Sequence, residues 1–171
     1  MRTEEIPKWN AYGVLPPFNE EHPTSFERSP YLVNLEDVIE RFGTSGKRKS
    51  LLENFLRFRN RIHNAGLMSG FQWLNGSFLE NVDANEHREP NDIDVVTFYR
   101  LPENQTQQKL LDCYPDVFEH ELAEKEYLVD SYFVELRQND LGLLIRNATY
   151  WYSIWSHRRN YQWKGFLEVE L

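Results

Sequence analysis

The sequence holds one cysteine, Cys113, among 171 residues. An internal disulfide and a multi-cysteine zinc site are therefore excluded, and a reducing, cytoplasmic setting is expected. No apolar run approaches the roughly 20 residues that a membrane-spanning helix needs, so no membrane partner is expected. The opening Met1-Arg2-Thr3-Glu4-Glu5 has no apolar stretch of the signal-peptide kind. In that setting the sequons Asn75-Gly76-Ser77, Asn104-Gln105-Thr106 and Asn147-Ala148-Thr149 are read as chance matches. Basic side chains are also scarce: 19 Lys and Arg stand against 27 Asp and Glu, a net charge of −8. Broad binding to nucleic-acid backbones, which Lys and Arg dominate, is disfavoured, although a local basic cluster can still serve one substrate. Internal repeats and low-complexity segments are absent too. Aromatic residues, at 15%, are plentiful, and the chain is long enough for one domain with a real core.

Residues 1–33 carry Pro7, Pro16, Pro17, Pro23 and Pro30 with several aromatics. Proline prevents a regular helix there, and the aromatics predict an irregular arm packed on a single domain formed by residues 34–171. A short helix is predicted over Leu35–Phe42, with Asn34 as its cap and Gly43 ending it. Ser45-Gly46-Lys47-Arg48-Lys49 reads as a basic loop without P-loop spacing. Leu51, Phe55, Phe58 and Ile62 then repeat at helical spacing and predict a helix over 50–65. Arg57 and Arg61 lie on its polar face, as a solvated surface or as phosphate contacts. Residues 71–74 read as the first core strand, and 78–81 as a short turn that Ser77 would cap. Glu80 and Asp83 read as turn and surface residues.

The acidic pattern comes next. In Asn91-Asp92-Ile93-Asp94-Val95-Val96, strand alternation puts Asp92 and Asp94 on one face and Ile93 and Val95 in the core. Two adjacent carboxylates repel, and burying them unpaired is costly, so they call for a cation between them. Magnesium fits, as a hard cation held by one or two carboxylates plus substrate phosphates. Upstream, Gly76 permits close backbone approach, and the amides after it, with the Ser77 hydroxyl, can receive phosphate oxygens. Helices over 105–111 and 115–125 connect to a strand over 127–136, and a helix over 139–155 leads to a strand over 167–171. The sum is an α/β fold, a mixed sheet with flanking helices. His157, Arg158, Arg159 and Lys164 form the densest cationic group. They serve either as phosphate ligands beside stacking aromatics or as charge compensation at a helix end.

Gly76-Ser77 followed by the Asp-Ile-Asp strand resembles the nucleotidyltransferase superfamily of the DNA polymerase beta type. Its signature is an apolar residue, Gly, Gly or Ser, then a strand reading Asp-apolar-Asp/Glu-apolar. The gap from Ser77 to Asp92 is longer than usual there, so residues 84–90 are read as an inserted loop. The chain is also similar, through Gly13–Pro17, Arg41–Ser45, Gly70–Phe78 and Tyr150–Arg159, to an uncharacterised bacterial family of nucleotidyltransferase-like proteins. The resemblance implies a nucleotidyltransferase-like core and a third carboxylate on a neighbouring strand. Asp130, which interrupts an apolar and aromatic run, fits that place better than Glu135.

What the resemblance implies for function is transfer of a nucleotidyl group from a nucleoside triphosphate to a hydroxyl of a protein, RNA or small molecule. Asp92, Asp94 and Asp130 would hold magnesium, two ions in the usual arrangement, or manganese. Gly76, Ser77, Arg158, Arg159 and Lys164 would hold the nucleotide. Small members of the superfamily serve as toxins, antitoxins or phage-defence components, which implies a partner protein. A noncatalytic fold acting as a binding or assembly module is the alternative.

Overall fold

The computed structural model describes residues 4–137 and 140–171. Met1, Arg2 and Thr3 of the N-terminal reading, and Asn139 at the predicted start of the last helix, lie outside the described residues.

Helices α1 (Leu35–Phe42) and α2 (Gly46–Asn64) open the domain, and the short α3 (Val82–Asn85) follows further along the chain. Leu51, Phe55, Phe58 and Ile62 have no exposed surface, as a stripe of period 3.6 requires when it faces a core. Each such side chain contributes about 1.5–3 kcal/mol on burial. Asn34 stands at the cap position of α1, but its side chain makes no cap bond and donates instead to Asp37 Oδ2 at 3.0 Å. The basic segment 45–49 is not a loop. Ser45 caps α2 by accepting from the Arg48 amide at 3.2 Å, so the helix starts earlier than expected.

Among the described residues, five strands form one mixed sheet: β1 (Tyr31–Leu32), β2 (Gly70–Asn75), β3 (Ile93–Tyr99), β4 (Val129–Glu135) and β5 (Leu167–Glu170), in the order β1-β5-β2-β3-β4. β2 is antiparallel to β3 and β5, while the β1–β5 and β3–β4 pairs are parallel. The fold class is therefore mixed α/β. Two expectations need correcting. The proline-rich arm is not wholly irregular, because Tyr31 and Leu32 form an edge strand. Asp92 does not belong to a strand but immediately precedes β3.

The parallel β3–β4 pair requires a crossover, here built from α4 (Gln107–Cys113), α5 (Pro115–Phe118) and α6 (His120–Tyr127). Thr106 caps α4 by accepting from Lys109 N, which moves that helix C-terminal to its predicted bounds. The helix predicted over 115–125 is two helices, broken where Glu119 becomes extended. On the face they cover, Phe58 and Phe118 pack against Phe133 of β4 at ring distances of 6.3 and 4.6 Å. The last helix, α7 (Leu141–Trp155), lies on the other face: Trp151 meets Tyr132 at 4.7 Å and Trp155 meets Phe166 at 5.8 Å. No helix among the described residues is long and apolar enough to cross a membrane.

One buried polar chain crosses the sheet beneath α2. Gln72 is paired in register with Thr97 and donates to its Oγ1 at 2.9 Å. Arg59 donates to Gln72 Oε1 and, at 2.7 Å, to the Glu170 carbonyl. Burial lowers the Arg59 pKa to about 10, which still leaves it charged at neutral pH.

The arm and α2 both grip the segment after Gly76. Trp9 Nε1 donates to Leu79 O at 2.7 Å, and the Asn81 amide to Gly13 O at 2.8 Å. Arg48, only 1% exposed, donates to Phe78 O at 2.6 Å, to Glu80 O at 2.8 Å and to Asp83 Oδ2 at 2.8 Å. Asp83 is thus an anchor and not a free surface acid. Arg48→Leu strands two buried carbonyls and one carboxylate. We expect a loss of about 3–5 kcal/mol, read as a lower urea midpoint; an unchanged midpoint would show that the segment holds without this side chain.

Candidate functional site

The register of the sheet assembles the site. Asn75 of β2 pairs with Asp94 of β3, and Asp94 pairs with Asp130 of β4. Neighbouring residues in register point to the same face, so an amide and two carboxylates form one row across three strands. Asp92, two residues before Asp94, adds a third carboxylate close enough to be felt by it. The four predicted positions Gly76, Asp92, Asp94 and Asp130 are brought together.

Gly76 takes φ +86°, and a Cβ there would collide with the Asp94 carboxylate. Its role is therefore close approach as well as turning: the backbone lies directly against Asp94. The turn that follows is a 3-10 helix over Ser77–Leu79. Gly76, not Ser77, occupies its cap position, which corrects the expected Ser77 cap. Ser77 is partly exposed at the mouth of this turn.

The electrostatics follow from crowding. Burial first, then the charges of Asp130 and Asp92, raise the Asp94 pKa from 3.8 to about 7, with Lys164 opposing. Burial, then Asp130 and Glu124, raise Asp92 as well, against Lys47. Asp130 Oδ1 is buried and, among the described residues, accepts no hydrogen bond; His120 Nδ1 lies 3.4 Å from it.

The cationic cluster divides. Lys164 is buried, and its Nζ donates to Glu80 Oε1 at 2.8 Å. Arg158 Nε donates to Glu80 Oε2 at 2.8 Å, and its guanidinium lies 3.7 Å from Glu86. Arg159 is exposed and stands outside this group. Glu80 is not the surface residue expected but a buried acid with both oxygens engaged by cations. Arg57 and Arg61 have partners away from the row, in Glu126 and Asp116, so they tie α2 to α5 and α6.

Glu80 and His120 were missed from the sequence. Glu80 follows the apolar pair Phe78-Leu79, the same signal that singled out Asp130, and could have been found by it. His120 lies in an acidic helix, with no local signal of its place beside Asp130.

The chain matches a family of unknown function, DUF6932, over residues 7–170. It belongs to that family. No curated protein and no solved structure matches it. For this DUF6932 protein, chemistry must then be read from its own donors. Among the described residues, no group of three or more His, Cys, Asp or Glu stands ready as a metal-binding cluster. The donor chemistry of the row nonetheless fits a hard divalent cation. Among the described residues Asp130 Oδ1 accepts no hydrogen bond, and burial with the charges of Asp130 and Asp92 raises the Asp94 pKa although Lys164 opposes them, a shift that a bound cation would counter.

A pH dependence with a definite sign results. Below about pH 4 Asp94 is protonated in the folded and unfolded chain alike. Between there and about 7 the unfolded chain releases this proton while the folded chain retains it, so this group's contribution makes stability fall as pH rises. In chelator, Asp94→Asn should remove that contribution, so its melting temperature should exceed wild type near pH 8 and match it near pH 4. A wild-type advantage at both pH values would contradict the crowding of the row.

Proposed function

We propose that this protein transfers a nucleotidyl group from a nucleoside triphosphate to a hydroxyl acceptor. The observation that carries the reading is the in-register pair Asp94 and Asp130, with Asp92 alongside and the Gly76-Ser77 turn lying against Asp94. Asp92, Asp94 and Asp130 would hold magnesium, which when bound neutralises triphosphate charge and that of the leaving pyrophosphate. The Gly76-Ser77 turn would receive the outer phosphates through backbone amides and the Ser77 hydroxyl. Lys164, whose charge is felt at Asp94, supplies fixed positive charge from the protein itself.

In the reaction the acceptor hydroxyl oxygen bonds to the α-phosphorus. The bond from that phosphorus to the bridging oxygen breaks, and its electron pair leaves with pyrophosphate. The hydroxyl proton passes to Asp130 or to solvent. Acceptor classes are a protein, an RNA or a small molecule.

One observation favours a second reading, a noncatalytic binding module. Lys164 and Arg158 are both held by Glu80, so neither is a free clamp for a triphosphate.

Labelling from α-radiolabelled triphosphate separates the two readings. Wild type should label an acceptor or release pyrophosphate in magnesium, and Asp94→Ala should lose about 10²-fold or more of that rate. Its melting temperature should not fall near pH 8, because an acid held above its ordinary pKa is removed. Labelling by Asp94→Ala at the wild-type rate would sink the transfer reaction. Calorimetric binding of magnesium triphosphate without turnover would support the module.

A further inference from the structure

An aromatic shelf adjoins the acidic row. Tyr132 follows Asp130 by two residues on β4 and so shares its face. Its ring lies between His120, at 5.2 Å and 33°, and Trp151 of α7, at 4.7 Å and 49°. Trp151 in turn meets Tyr150 at 5.3 Å and 77°. These rings are tilted steps, not a closed stack.

Fastening α7 to the sheet accounts for Trp151, which is half-buried against the core, but not for the exposure of the rings around it. Tyr132 is 38% exposed and Tyr150 58%, and only Trp155 of α7 is buried. The exposed rings of His120, Tyr132 and Tyr150, joined through the half-buried Trp151, thus form a stepped aromatic surface beginning beside Asp130, where an adjacent phosphate would sit under the proposed transfer. A ribose spans the step from such a phosphate to a base.

We propose that His120, Tyr132, Tyr150 and Trp151 form a stacking site for a nucleobase beside the acidic row. The inference rests on the nucleotidyl-transfer reading for its choice of ligand. Every base has a π-face, so such a shelf binds bases with little preference among them. Its neighbour Asp130 links the shelf to the chemistry: the two side chains stand two residues apart on the same face of β4.

A nucleoside has no phosphate, so its binding here needs no metal. The test titrates adenosine, guanosine, cytidine and uridine into the full chain in chelator, read by saturation-transfer NMR and tryptophan fluorescence. Transfer should be stronger to base protons than to ribose protons. Trp151→Leu and Tyr150→Ala should each weaken binding, the former about tenfold or more. The wild-type transfer pattern decides even if both variants fail to fold. No transfer from the wild-type chain at the solubility limit of all four nucleosides overturns the site. Displacement of the nucleoside by triphosphate assigns the shelf to the donor's base, and simultaneous binding assigns it to an acceptor's base; either result supports it. Nucleoside binding without any triphosphate labelling sinks the transfer reaction and keeps the shelf, whereas labelling without nucleoside binding does the opposite.

Discussion

Two carboxylates set side by side on adjacent strands repel each other, and that repulsion organises one end of this molecule. Asp94 and Asp130 are fixed in register by the backbone ladder of β3 and β4, so neither can retreat by sliding. Burial and this repulsion together raise the Asp94 pKa, and the charge of Lys164 opposes the rise. A bound divalent cation would oppose it more fully, since positive charge between acids restores their ionised forms. Gly76 belongs to the same constraint, because any side chain there would displace the Asp94 carboxylate.

The distribution of positive charge around the row is equally specific. Lys164 and Arg158 come from the segment after α7, yet both converge on Glu80, just past the Gly76-Ser77 turn. A buried acid with two cations leaves a net positive charge locally, partly offset at Arg158 by Glu86. Removing Glu80 would leave Lys164 without its carboxylate partner and Arg158 with the longer contact to Glu86, so Glu80 fixes where their charge acts. Arg48, Trp9 and Gly13 brace the same short segment through its carbonyls and amides. Three distant parts of the chain therefore meet at Phe78–Asn81.

Much of this was legible in the sequence wherever the signal was local. Alternation set Asp94 against the buried Ile93 and Val95, although the strand expected to include Asp92 starts only after it, and the acid interrupting the run around Asp130 marked it as needing a partner. The helical stripe of α2 was equally plain from Leu51 to Ile62. Its first turn was not, because Gly46–Lys49 carries no apolar residue and only the Ser45 side chain fixes the start. β1 escaped notice because two residues among prolines give no period. Alternation also says nothing of which strand lies beside which. The parallel neighbour relation of β3 and β4, and with it the closeness of Asp94 to Asp130, depends on a crossover of three helices. His120 reaches Asp130 through that same crossover, which no local pattern encodes.

The reverse side of the sheet bears on the row in a different way. Gln72 and Thr97 face away from the acids, buried and bonded to each other, with Arg59 completing the set. Sliding β2 against β3 by one residue would turn their polar atoms out of partnership and flip every side chain to the other face. Three uncharged or singly charged side chains that never touch the acids thus act as an alignment key. A random change at Gln72 or Thr97 is free to misplace Asn75 against Asp94 without altering either, so damage to the row can originate on the face that never meets it.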